Sequence, residues 1–346
     1  MEQKRNIWKA VLVTALFVAA LGGWFGYQKY KAFLLPNVKS DLADPFLYIP
    51  TGSSFEDVVR ILDSLQILKN IESFKEVAAQ MNYAKPVMRA GRFKIEAGWN
   101  NKSLVQHLRS GEQEPVKLVL NNERLLEDLA QKVARFIEPD SASLMALFQN
   151  DTYLADLGYN QQTLMSLFIP NTYEFFWNTS PEQFMERMMR EHDAFWSKND
   201  RKAKADSLNL SLSEVYTLAS IVERETNQNT EKQRMAGVYL NRLRINMLLQ
   251  ADPTCVFATR DFGAKRVLDY HKFFDSPYNT YLYVGLPPGP ISMASIPSID
   301  AVLNYEKHDY LYFCAKPDGS GFHTFAKTLA QHNVNAALYR ESLRNQ

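Results

Sequence analysis

The sequence predicts an α+β fold in three parts: an N-terminal transmembrane helix, a small α+β module, and a mainly helical region with a β-hairpin. Three observations predict it. The run Ala10 to Tyr27 carries no charge. Two strand–turn–helix patterns follow between residues 47 and 112. From residue 180 the apolar spacing turns helical, interrupted by two strand-like runs flanking "PDGSGF".

The apolar run comes first. With Trp8 it approaches the ~20 residues that a helix needs to cross a bilayer. Lys9 can snorkel toward headgroups, and Trp8 and Trp24 suit the two interfaces. The run exceeds the apolar core of a cleaved signal peptide, and no A-x-A-like site closes it. Lys4, Arg5 and Lys9 lie before the span and Lys29, Lys31 and Lys39 after it, so positive charge does not fix orientation. A six-residue leader on an uncleaved anchor favours a cytoplasmic N-terminus. The expected division is a leader at 1–6, a bilayer-crossing helix at 7–27, and a Pro- and Asp-punctuated stalk at 28–46.

Composition narrows the partners. Thirty-nine Lys+Arg against thirty-eight Asp+Glu leave a net charge of +1, without the basic footprint that phosphate backbones require, so no nucleic acid is expected. The six histidines show no H-E-x-x-H or similar ligand spacing, and neither cysteine belongs to a C-x-x-C. No metal or other cofactor is expected. "PDGSGF" lacks the following Lys-Ser/Thr of a phosphate loop and reads as a hairpin turn.

In the module, "LYIPTGSSFEDVVRILDSLQIL" reads as a strand, a turn and a helix with Phe55, Val58, Val59 and Leu62 on one face. Ser53 or Ser54 can cap that helix. "GRFKIEAGWNNKSLVQHLRSG" repeats the pattern with Leu104, Val105 and Leu108, and Gly111 stops the helix. A strand "VKLVL" and a helix "LLEDLAQKVARF" lead into the helical region. There, Pro181 sits near a helix start, and helices are expected over 211–226, 231–247 and from Thr328. The loops of 276–298 are dense in Pro, Gly, Asn and Tyr, and functional sites concentrate on such loops.

Chemistry concentrates at "LASIVERET". Val215, Leu218, Ala219 and Val222 define a buried stripe, with Glu223 and Glu225 on its opposite flanks and Arg224 pointing away. Burial raises a carboxyl pKa toward neutrality, as a general acid requires. Periodicity leaves the choice between the two acids open.

Downstream stand "VYLNRLRINMLLQADPT", "DSPYNTYLYVGLPPGPI", "YLYF" and "HTF…HN", in that order. This set resembles the MltG (YceG-like) family of membrane-anchored endolytic murein transglycosylases, densely over 213–335 and more thinly over 47–200. The pair Glu225-Thr226 is also similar to the Glu-Ser of soluble lytic transglycosylases. The resemblance implies Glu225 as the catalytic acid and Glu223 as a supporting or reserve acid. It implies a reaction at the MurNAc–GlcNAc bond of nascent glycan strands: the acid protonates the bridging oxygen, then takes the proton of the C6 hydroxyl as a 1,6-anhydro end closes.

The resemblance further implies sugar contacts from Asn241, Arg242, Gln250, Asp252, Thr254, Tyr278, Asn279 and Tyr281, each of which could instead brace the fold. Pro287, Pro288 and Pro290 suit a fixed loop wall, and His323 and His332 read as structural. The sequence departs from the family at "LMSLFIPNTY", where Ser166 and Asn171 replace expected Gly and Asp, and at "LNNERLLEDLA", which lacks a glycine. By the same resemblance, 47–115 is LysM-like and 116–346 catalytic, with its core at 206–346. The implied partners are peptidoglycan strands, the bilayer through residues 7–27, and peptidoglycan synthases. The implied location is the inner membrane, with the catalytic part outside the cytoplasm. Two alternatives keep these residues: a water-using muramidase, and a non-catalytic glycan-binding scaffold.

Overall fold

Helix α1 (Glu2–Leu34) is a single uninterrupted rod in the computed structural model, which describes residues 2–344. Its segment Arg5–Leu34 is long and apolar enough to cross a membrane. The side chains of Val11, Leu12, Leu16 and Phe17 are all exposed, as a lipid-facing surface would be. The hydroxyl of Thr14 donates to the Ala10 carbonyl at 2.9 Å, so this polar group is satisfied within the helix.

Part of the segment expected as a stalk, residues 32–38, is packed instead. The helix continues to Leu34, Ala32 is buried, and Val38 is fully buried. Asn101 explains the packing. Its side-chain amide donates to the Ala32 carbonyl at 2.8 Å, meeting one of the carbonyls a helix end leaves without a partner. Its Oδ1 accepts from Asn37 at 2.7 Å.

The chain forms two units, the first comprising residues 1–116 and 175–178. Here β1 (Phe46–Ile49) pairs antiparallel with β2 (Gly91–Lys94), Leu47 opposite Phe93. Leu47, Ile49 and Phe93 are fully buried while their neighbours Tyr48 and Arg92 are less so, the alternation of a one-sided sheet. On that face lie α2 (Phe55–Ser64), α3 (Ile71–Gln80) and α4 (Asn101–Ser110). Ser54 caps α2 reciprocally with Asp57, and Gly111 closes α4 at φ 74°, where a side chain is strained. Helix α3, which the sequence reading passed over, buries Phe74, Val77 and Ala78. Phe74 and Val77 each contribute roughly 2 kcal/mol by leaving water.

The second unit comprises residues 117–174 and 179–346. A two-stranded sheet joins β3 (Val116–Leu120) and β4 (Asn171–Phe175). Between them run α5 (Leu126–Val133), α6 (Ser141–Phe148) and α7 (Asp151–Asp156). Then follow α8 (Pro181–Trp196), α9 (Arg201–Ser207), α10 (Leu212–Glu225), α11 (Lys232–Arg244), α12 (Asp252–Thr259), α13 (Asp269–Lys272) and α14 (Ile296–Leu303). The hairpin β5 (Tyr312–Ala315) and β6 (His323–Ala326) precedes α15 (Leu329–Arg344). Cys255 and Cys314 are both free thiols.

Helix α10 is the axis of this unit. All residues from Val215 to Val222 are buried, so the expected one-sided stripe is in fact a helix enclosed on every side. Helices α9, α11, α12 and α14 pack around it. Enclosure is possible because its polar groups are paired. The Tyr216 hydroxyl donates to the Phe168 carbonyl at 2.8 Å and accepts from the Ala294 N–H at 3.1 Å. Ser220 accepts from the Ile291 N–H at 3.0 Å. These two bonds lay the Pro-rich loop along the helix. In that loop a Cβ at Gly289 would stand 1.9 Å from the Gln162 carbonyl oxygen, a close approach only glycine permits.

Candidate active site

The last turn of α10 opens onto a cavity of about 240 Å³ within the second unit. Glu225 and Arg224 line it from α10, and Asp252, Pro253, Val256 and Phe257 from α12. Arg124, Phe262, Ala264 and Ile291 complete the wall. Ile291 ends the Pro-rich loop anticipated as a wall. Asp252 stands at the start of α12 because Gln250 turns the chain in the left-handed region at φ 46°, where its N–H donates to the Thr280 carbonyl at 3.0 Å.

The two glutamates part as the helical wheel requires, and their surroundings differ sharply. Glu223 faces α14 and α11. Ser295 and Ser298 donate to its Oε2, and Lys232 forms an ion pair with it at 2.9 Å. Burial alone would raise its pKa, but these donors outweigh burial and hold it below the ordinary carboxylate value. Glu223 is held ionised, with three donors on its Oε2.

Glu225 faces the cavity and α11. Burial is the main influence on it and pushes its pKa up to about 7. The negative charge of Asp252 acts in the same direction, while the Tyr239 hydrogen bond and Arg242 act against it. The Tyr239 hydroxyl donates to Oε1 at 2.6 Å, leaving Oε2 with no protein donor among the described residues. The residue is half-buried, and its accessible surface faces the cavity. A carboxyl in this state holds a proton at neutral pH where a ligand can meet it.

The other sequence-predicted residues divide into cavity and scaffold. Asp252 lines the cavity and accepts from the Tyr281 hydroxyl, which brings Tyr281 to its edge. Tyr278 lies behind the wall, its ring 4.8 Å from that of Phe257. Asn241 donates to the His308 and Tyr310 carbonyls at 2.7 and 3.1 Å, away from the cavity. Arg242 holds the Leu311 and Leu249 carbonyls at 2.7 and 2.6 Å. Buried Thr254 is paired with Thr280 at 2.8 Å, and the buried Asn279 amide spans the His271, Lys272 and Phe274 carbonyls. Gln250 contributes its backbone turn. These residues lock the loops that carry Asp252 and Tyr281.

His323 is held by buried Glu231 at 3.1 Å, and His332 stacks on Tyr312 with 5.5 Å between ring centroids.

Two charged wall residues and one residue buried behind the wall are not singled out by the sequence. Arg224, expected to point away, lines the cavity because Ser292 accepts from its Nε at 3.0 Å and draws it across the helix end. Arg124 reaches in from ahead of α5, its guanidinium 4.5 Å above the Phe262 ring. Tyr239 sits inside the quoted "VYLNRL" motif, one turn before the residues singled out there. A polar aromatic on an otherwise apolar helix face was the available signal.

The YceG-like family matches residues 47–338, which is most of the chain and includes the whole cavity. The chain belongs to the YceG-like family. A relative from Bacillus subtilis (strain 168), named an endolytic murein transglycosylase, is 28% identical over 338 residues, covering 93% of this chain and 91% of that protein. A relative of the same name from Streptococcus pneumoniae is 28% identical over 371 aligned positions, covering 97% of this chain. The chain spans only 66% of that relative's length. A crystal structure of a YceG-like protein from Listeria monocytogenes matches with a TM-score of 0.56 at 28% identity, covering 84% of this chain and 97% of that one.

Proposed function

We propose that this YceG-like protein is a membrane-anchored endolytic lytic transglycosylase. It cleaves the MurNAc–GlcNAc bond of nascent peptidoglycan strands and leaves 1,6-anhydroMurNAc ends. The observation that carries the proposal is Glu225, a carboxyl protonated near neutrality on the wall of a cavity of about 240 Å³. The names of the relatives at 28% identity support the same activity.

In this reading Glu225 acts twice. Protonated, it gives its hydrogen to the bridging oxygen as the C1–O bond breaks, and positive charge spreads over the MurNAc ring. The resulting carboxylate then takes the proton of the MurNAc C6 hydroxyl as that oxygen closes on C1. Glu225 ends protonated, and no water is consumed. Tyr239 stabilises the intervening carboxylate through its hydrogen bond. The Asp252 carboxylate helps hold the first proton on Glu225 and stabilises the positive ring.

Residues 7–27 would anchor the chain in the inner (plasma) membrane, with 1–6 cytoplasmic and 116–346 as the extracytoplasmic catalytic domain. Peptidoglycan lies outside that membrane, so the cavity must face it there. The LysM-like reading of 47–115, and recruitment by peptidoglycan synthases, belong to the same proposal.

A second reading is favoured by one observation. Asp252 is a second carboxylate on the same cavity and could position water, which would make the protein a muramidase. The test is digestion of uncrosslinked glycan strands by wild type, Glu223→Gln and Glu225→Gln, with products read by mass. Anhydro ends made by wild type and Glu223→Gln but lost in Glu225→Gln support the proposal. Products heavier by one water support the muramidase. Strands bound but never shortened by wild type would leave only a glycan-binding scaffold.

A further inference from the structure

The cavity wall holds two positive charges that the cleavage chemistry leaves unused. Arg124 and Arg224 both line it; burial, and after it the nearby charge of Arg124, weakens the hold of Arg224 on its proton. Neither forms a close ion pair with an acid among the described residues, although the charge of Glu223 acts on Arg224 and other carboxylates lie nearby in sequence. Glu123 is taken by Lys132, Glu127 by Arg260 at 3.5 Å, and Glu223 by Lys232.

Their guanidiniums are nevertheless held in place. Arg224 donates from Nε to Ser292 at 3.0 Å and from Nη2 to the Asn122 carbonyl at 3.4 Å. Arg124 lies on the Phe262 ring and makes no hydrogen bond among the described residues. Asp252 is the one other carboxylate among the described lining residues, so the two guanidiniums outnumber it while Glu225 keeps its proton. Two half-buried guanidiniums set side by side without an anion are costly in isolation, and a bound carboxylate removes that cost.

We propose that Arg124 and Arg224 form an anion subsite for a carboxylate borne on the lactyl arm of the MurNAc unit at the cleaved bond. That carboxylate is either one on the stem peptide or the lactyl carboxylate itself. The subsite makes the protein selective for muramyl glycans over neutral ones. The inference rests on reading the cavity as the site of glycan cleavage.

The test measures binding and cleavage separately. Binding is measured by calorimetry in the full-length Glu225→Gln protein, so that strands stay intact. Four substrates are compared: strands with stems, strands freed of stems by an amidase, and both after conversion of carboxylates to methylamides. Amines are acetylated throughout. The expected result is that charged strands bind at least about tenfold more tightly than methylamidated ones, as for a charge-assisted hydrogen bond. Arg124→Gln should lose that preference, and Arg124→Lys should restore part of it. Arg224→Gln should act in the same direction.

The stem-bearing and stem-free arms show which carboxylate is held. Equal binding of charged and neutral strands, or equal losses on both in Arg124→Gln, overturns the proposal. If wild type cuts charged and neutral strands alike, the subsite fails and the cleavage reading stands. If charged strands bind selectively and none is ever cut, the subsite stands and the cleavage reading fails.

Discussion

The hydroxyl of Tyr239 donates to Oε1 of Glu225 across 2.6 Å, from the middle of α11 to the last residue of α10. This bond favours the carboxylate, while burial of Glu225 favours the neutral acid more strongly. The balance places the group near neutrality, where one side chain can both release and accept a proton.

Tyr239→Phe removes the donor and keeps the buried ring. The pKa of Glu225 should then rise above about 7, moving the alkaline limb of the pH–rate profile to higher pH. The turnover rate should fall about tenfold or more, because the carboxylate formed after proton transfer loses its partner. A pH–rate profile of strand cleavage by the two proteins checks both effects.

In the unaltered protein the acid must start protonated. Cleavage should be flat below about pH 7 and fall tenfold per pH unit above it, since the neutral fraction of Glu225 declines there. A profile that rises through pH 7 would assign the first step to a base and refute the scheme.

Glu225 also makes stability depend on pH. The native protein keeps this proton up to about pH 7, whereas an unfolded chain loses it near the ordinary value of 4.5. The native state therefore binds more protons across that window, and stability falls as the pH rises through it. Glu225→Gln avoids this cost. It should be more stable than wild type by roughly 2–3 kcal/mol at pH 8, with the difference shrinking toward pH 4. Urea denaturation at the two pH values measures it.

Glu223 should behave in the opposite way. Its pKa is held below the ordinary value, so its contribution is present at neutral pH and lost as the pH falls through the native pKa. Glu223→Gln leaves buried Lys232 without its partner and should cost about 2–4 kcal/mol at pH 7, less in acid. The products of cleavage should keep their chemistry. Thermal melts at two pH values, together with product masses, separate this structural role from catalysis.

Asn279→Ala tests the scaffold. The side-chain amide holds three carbonyls and is fully buried, so its loss should destabilise the protein by about 2–4 kcal/mol. Activity should fall in parallel with the melting temperature. A large loss of activity at unchanged stability would make Asn279 a direct substrate contact.

Much of the fold could be read locally. The capped helices at Ser54, Ser180 and Ser211 and the hairpin of residues 312–326 follow from capping residues, apolar period and turn chemistry. Helix α3 is equally local, since Phe74, Val77 and Ala78 repeat at helical spacing. The packing of residues 32–38 was not local. It depends on Asn101 reaching back to Ala32 and Asn37, contacts that no window of neighbouring residues contains. Asn241, Arg242 and Asn279 hold backbone carbonyls, because a motif shows residue type and order but not which way a side chain points.

The sequence by itself determined the apolar N-terminal helix, the order of elements, and the separation of Glu223 from Glu225, because period and angle are properties of a short stretch of chain. Only the tertiary structure decided which of the two carries a proton. Ser295, Ser298 and Lys232 come from outside α10 to ionise one, while α11 and α12 surround the other with a single strong donor. It also decided that Arg124 and Arg224 meet on one wall. Proton affinity depends on the dielectric and the charges within a few ångströms, and folding gathers those from the whole chain.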